Sequence, residues 1–370
     1  MTEVFAYYFP QLYQTVENSA WWGEGFTDWQ LVKQAMPLFE GHQQPRIPEM
    51  GYLDQSEHTT LAKQVALARE YSVTGFNFYH YWFNGKVYLE KPAENFLNDK
   101  ELDIKIMFTW ANESWTRQWI GKPTDFLIKQ KYYRNISDIE KHYKYLSPFF
   151  KDGRYYKVNN KPVFSIYRPE LIPDLNGFIA TLKRLAIQDG FAGIFLIACR
   201  SYQLADAYKY YYKFDGIINF NPRYAINTSL KNKRLSFLES VARKFPESVQ
   251  SFLSKRIHKG SKEKIYAYGA YLASMEQAEN YYENIPVYHS VFPDWDNTAR
   301  YKERATLFRD ISLKGYEKAL KISYDGLTRQ HQKIIFINAW NEWSEGAYLE
   351  PDTYTGLNYL KITKSIQEFV

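Results

Sequence analysis

Two glutamates three residues apart, Glu342 and Glu345, are the residues in this sequence best placed to do chemistry. They lie in Asn338-Ala-Trp-Asn-Glu-Trp-Ser-Glu-Gly346, directly after the apolar run Ile334-Ile-Phe-Ile337. That run reads as a strand buried on both faces, as in a parallel sheet. A single helical turn after it would aim both carboxylates the same way. A carboxyl pair walled by Trp340 and Trp343 suits glycosidic-bond chemistry, in which one acid protonates the leaving oxygen and the other is base or nucleophile. One turn of spacing, roughly 5–6 Å, is the separation of retaining rather than inverting enzymes. Burial between indoles should raise the pKa of one glutamate, and the charge of the other should push the pair apart. The competing reading, acids capping a following helix, leaves the flanking tryptophans unexplained.

Eight strand-like runs can carry such a site: Val4–Phe9, Thr74–His80, Ile104–Thr109, Pro162–Tyr167, Gly193–Ala198, Gly216–Phe220, Val287–Phe292 and Ile334–Asn338. Helical periodicity lies between them, for example at Leu61, Val65 and Ala68, and at Phe178, Ile179, Leu182 and Ala186. The pattern predicts an α/β chain folded as a single (β/α)8 TIM barrel over 1–370, with a doubly wound sheet as the rival. Residues 225–285 read as a basic helical insertion between strands six and seven.

In a barrel, chemistry gathers on the loops that follow the strands, and the aromatic residues of this sequence concentrate there. Tyr7, Tyr8, Trp22, Asp28 and Trp29 follow strand one; Tyr79, His80 and Trp82 end strand two; Trp110, Asn112, Glu113, Trp115 and Arg117 follow strand three. Tyr167 ends strand four, Arg223 follows strand six, Asp294 and Trp295 follow strand seven, and Trp340, Asn341, Trp343 and Glu350 follow strand eight. At least eight of the ten tryptophans fall just beyond a strand end, which favours a cleft that stacks on sugar rings over packing alone.

The motifs Ala6-Tyr-Tyr-Phe-Pro-Gln11, Trp21-Trp-Gly-Glu-Gly-Phe-Thr-Asp-Trp29, Gly75-Phe-Asn-Phe-Tyr-His-Tyr-Trp-Phe83, Phe108-Thr-Trp-Ala-Asn-Glu-Ser-Trp-Thr-Arg117 and Asn338–Gly346, in this order, resemble the WbsX-type proteins. These are associated with bacterial O-antigen (lipopolysaccharide) and capsule assembly and are often labelled glycosyltransferases. They are similar in turn to glycoside hydrolase family 99, the retaining endo-mannosidases. The resemblance implies a (β/α)8 barrel and a surface polysaccharide as substrate. It also implies that Glu345 is the general acid/base and that Glu342 deprotonates the sugar 2-hydroxyl. Ser344 stands where the hydrolases usually carry His.

Charge and composition bound the rest. The net charge is +6. Residues 231–264 hold ten basic and three acidic residues, a surplus of +7, so the remainder sums to −1. Apolar residues at helical spacing within that segment make it a candidate for peripheral contact with an anionic membrane, bringing the barrel to lipid-linked glycan. Nucleic acid is not expected, because the stacking aromatics lie elsewhere. The seven histidines show no metal-ligand spacing and no Gly-rich loop follows a strand, so neither metal nor cofactor is expected. The lone Cys199 excludes an internal disulfide, and the sequence opens on a strand pattern, so a cytoplasmic protein is the expectation. Two alternatives to the hydrolase or transglycosylase reading remain: a sugar-nucleotide-dependent glycosyltransferase and a non-catalytic glycan-binding barrel.

Overall fold

The computed structural model describes residues 2–133, 135–230, 264–327 and 332–368. Eight parallel strands follow one another in chain order: β1 (Glu3–Tyr8), β2 (Gly75–Phe83), β3 (Lys105–Trp110), β4 (Lys161–Ile166), β5 (Phe195–Arg200), β6 (Gly216–Asn219), β7 (Ile285–His289) and β8 (Ile334–Ile337). β8 pairs with β1, setting Phe336 opposite Phe5. The sheet closes on its other side just beyond β7, where Val291 N donates to Phe336 O and Asn338 N donates to Val291 O. The result is the (β/α)8 barrel expected from the sequence. β1 and β8 are buried along almost their whole length, because closure puts one face on the barrel interior and the other under helices.

A helix follows each strand: α1 (His58–Glu70), α2 (Lys91–Asn98), α3 (Ile136–Lys151), α4 (Leu175–Gln188), α5 (Ala207–Tyr211), α6 (Tyr268–Glu276), α7 (Leu313–Asp325) and α8 (Asn358–Ser365). Side-chain N-caps start three of them, with Asn135, Asp174 and Ser312 accepting from the backbone of α3, α4 and α7. Among the described residues no helix is long and apolar enough to cross a membrane.

The expected insertion at 225–285 is described only in part. Its basic core, residues 231–263, lies outside the described residues. Beyond it, Lys264–Ala267 pairs with Thr306–Arg309, and α6 is the sixth helix of the barrel. Tyr268, Tyr271, Leu272 and Met275 bury one face of α6 at helical spacing. The sequence conceals this helix because it directly follows the charged run.

Candidate active site

The polypeptide after β8 does not run straight into α8. Asn341–Glu342 pairs antiparallel with Ala347–Tyr348, and a 3-10 turn, Trp343–Glu345, forms the tip. The expected turn between the glutamates is therefore present, tighter than an α-helical one. Its mount is rigid. Trp340 N donates to Tyr7 O (2.7 Å), and the Asn341 amide brackets Phe9 by accepting from its N (2.8 Å) and donating to its O (3.1 Å). At the far end Asp296 N donates to Glu345 O (2.8 Å). Gly346 has φ +64°, and a Cβ there would sit 2.8 Å from Asp296 N, so only glycine fits.

Both glutamates meet one guanidinium. Arg300, from the short helix Thr298–Tyr301, brings Nη1 to 2.5 Å from Glu345 Oε1 and 3.6 Å from Glu342 Oε1, and Nη2 to 3.4 Å from Asp28 Oδ2. Because one nitrogen touches both carboxylates, the two Oε1 atoms are at most about 6 Å apart. The guanidinium is also covered by the rings of Trp119 (4.8 Å) and Phe9 (5.1 Å). Burial and the charge of Glu345 push the Glu342 carboxyl up to about 8, against the opposing pull of Arg300 and Arg223. Of the two carboxyl groups, that of Glu345 is the closer partner of Arg300.

The pair faces a cavity of about 170 Å³ at the carboxyl ends of the strands. Of the residues singled out in the sequence, Trp22, Tyr79, Glu113, Trp115, Tyr167 and Trp295 line it together with Glu342 and Glu345. At its mouth Trp22 stacks on Trp119 (5.4 Å, 17°) and Trp21 meets Trp115 edge-on (5.7 Å). Arg117 lies over Trp22, held by Trp21 O and Asp125. Glu113 is ion-paired with Arg168, whose backbone N and O are both engaged by the Asn112 amide.

Other singled-out residues lie beneath or beside the cavity. Trp343 stacks on Tyr348 (3.8 Å), packs against Trp29, and donates Nε1–H to Glu350 (2.6 Å). Glu350 also accepts from Gln64, which in turn accepts from the Tyr8 hydroxyl; burial pushes the Glu350 carboxyl up to about 7. Trp340 is wholly buried against Phe76. Tyr7 points down the barrel towards Cys199. Asp28 is buried against Arg300, and Asp294 against Arg46.

His80, Trp82 and Trp110 face outward beneath α3. His80 contacts His142 (2.8 Å), Trp82 stacks on His142 (4.8 Å), and Trp110 donates Nε1–H to Trp82 O. Burial lowers His80 to about 3, so it is neutral. The cause is strand alternation: in β2, Tyr79 and Tyr81 point to the cavity, so His80 and Trp82 point away. A strict period-two reading of Gly75–Phe83 would have selected Tyr81, which residue type alone passed over. Arg300 had no comparable signal. It sits six residues beyond Asp294 on a four-residue helix, and only the folded loop brings it to the glutamates. Phe9, Gln11, Trp21 and Trp119 also line the cavity without having been singled out as binding residues.

A family described as Glycosyltransferase WbsX matches residues 4–363. The uncharacterized protein WxcX of Xanthomonas campestris pv. campestris (strain B100) is 30% identical over 368 residues, covering 97% of this chain and 48% of that protein. The chain thus spans about half the length of the curated relatives it matches. Among solved structures, the GH99 endo-alpha-mannosidase from Bacteroides thetaiotaomicron superposes with a TM-score of 0.57 at 14% identity, over 99% of this chain and 96% of that one. A glycoside hydrolase-like protein gives 0.57 at 12% identity over 99% and 93%. At these identities the likeness is one of fold.

Proposed function

The chain belongs to the Glycosyltransferase WbsX family, and from that premise we propose that it makes or breaks glycosidic bonds of a surface polysaccharide through Glu342 and Glu345. Membership supports a carbohydrate-active enzyme. The observation that carries the proposal is the single guanidinium of Arg300 touching both buried glutamates beneath a cavity rimmed by indoles. An oxygen separation of at most about 6 Å supports retaining chemistry, since inverting pairs stand roughly 6.5–9.5 Å apart to admit a water.

In this reading the Glu342 carboxyl gives its proton to the glycosidic oxygen as the C1–O bond breaks. The carboxylate of Glu345 meets the developing positive charge, either by attack at C1 or by taking the proton of the 2-hydroxyl. Arg300 orients that carboxylate and balances its charge. The raised pKa of Glu342 supports it as the acid in this reading, whereas the family resemblance implied Glu345 as the acid/base and Glu342 as the base on the 2-hydroxyl. Aryl glycosides separate the two assignments. A leaving group that needs no proton should restore turnover in the variant lacking the acid, Glu342→Gln here, and not in Glu345→Gln.

The family description supports a second reading, transfer from a sugar nucleotide. An assay on mannose-rich and lipid-linked glycans, with and without sugar nucleotides, scores new reducing ends and nucleoside diphosphate release together. Reducing ends formed without nucleotide and lost in Glu345→Gln support the first reading. Diphosphate release that requires acceptor replaces it with the second, and glycan binding unchanged in turnover-free variants of both glutamates and wild type alike leaves a binding barrel.

A further inference from the structure

Arg223 is the cation of the cavity that the proposed chemistry does not use. It opens the short helix Arg223–Asn227 after β6, and its side chain lines the cavity with Glu342 and Glu345. The turn before it is fixed: Asn221 N donates to Ser290 Oγ (2.7 Å) and the Asn221 amide donates to Ser290 O (2.9 Å). The other arginine lining the cavity is occupied: Arg300 is shared by Glu345 and Asp28. Among the described residues Arg223 makes no hydrogen bond or salt bridge at contact distance, although Tyr167, Glu345 and Glu113 act on its charge from further away.

A half-buried guanidinium that faces the cavity without a contact partner is matched by a planar anion rather than by hydroxyls taken singly. The acidic groups nearby do not forbid that anion. The carboxylates that act on Arg223, Glu345 and Glu113, each contact another arginine more closely, Arg300 and Arg168. We infer that the glycan acted on carries an anionic substituent, a carboxylate or a phosphate, which Arg223 grips beside the glutamate pair. This rests on the glycan reading above and narrows it to acidic or phosphorylated glycans.

The test is binding, so that turnover is not needed. Methyl hexuronides, the matching methyl hexosides and hexose 1-phosphates are titrated calorimetrically into the Glu342→Gln/Glu345→Gln protein, with and without Arg223→Gln. An anionic probe should bind about 10- to 100-fold more tightly than its neutral match, as loss of a charge-assisted hydrogen bond predicts, and Arg223→Gln should erase the difference. Arg223→Lys should keep part of it, and raising the salt concentration should weaken only the anionic probes. Preference for hexuronides assigns a carboxylate, and preference for hexose 1-phosphates a phosphate. Equal binding of anionic and neutral probes, or an anionic preference that survives Arg223→Gln in a protein of unchanged melting temperature, overturns the inference and leaves the glycan reading intact. Absence of binding by every sugar overturns both.

Discussion

At the level of single residues, the glutamate pair makes two predictions. Glu342→Gln and Glu345→Gln should each cut kcat/KM on a natural glycan by about 10²–10⁴-fold, the usual contribution of a positioned acid or base, with melting temperature preserved. In the wild type, kcat/KM should fall as pH rises through about 8, where Glu342 loses its proton. The same group governs stability. Its ordinary value is 4.5 and its folded value about 8, so between those limits the folded state holds more protons and becomes less stable as pH rises. Glu342→Gln removes that slope, so from pH 5 to 8 the variant should gain stability over wild type, by on the order of a few kcal/mol. Glu350, pushed up to about 7, tilts both proteins equally and cancels in the difference. Chemical denaturation at stepped pH values checks this, and parallel curves would refute the protonation assigned to Glu342. The pair itself was legible from sequence because buried indoles beside carboxylates have no use in capping. Arg300 was not, because its role depends on a contact 45 residues away.

Among the elements, the hairpin after β8 converts a strand end into a platform. Gly346→Ala would impose a side chain at φ +64° against the Asp296 backbone. It should cost about 1–2 kcal/mol for the backbone alone and, by shifting Glu345, lower turnover on the order of 10²-fold. Thermal melts paired with kinetics would show it, and a variant with full turnover would mean that the tip is not what holds Glu345. Trp343→Phe removes the N–H that Glu350 accepts and should destabilise by about 1–3 kcal/mol in urea melts. The strands were readable because barrel strands buried on both faces write continuous apolar runs, as in Val4–Tyr8 and Ile334–Ile337. The facing of β2 was not read, since a run of aromatics such as Phe78–Phe83 hides its own alternation from a count of residue types. α6 lies inside the segment read as an insertion because half of its buried face is tyrosine, beside a charged run.

Across the whole molecule the barrel separates stability from chemistry along its axis. Gly75 opens β2 at the end away from the cavity, and a Cβ there would fall 2.2 Å from Phe5 Cε1. Gly75→Ala should therefore destabilise by about 1–3 kcal/mol through overpacking while leaving KM unchanged. A changed KM would show the two ends to be coupled. The closure through Val291 and Ile337 joins segments that the sequence gives no means of pairing, so the barrel was inferred from the number of units rather than from that contact. The stacked Trp22 and Trp119 at the cavity mouth add a practical consequence. Two indoles 5.4 Å apart and nearly parallel couple their strong electronic transitions, so the protein should carry an exciton signature in its far-ultraviolet circular dichroism. A sugar ring sliding between them would abolish it, giving the molecule its own optical reporter for an unlabelled glycan.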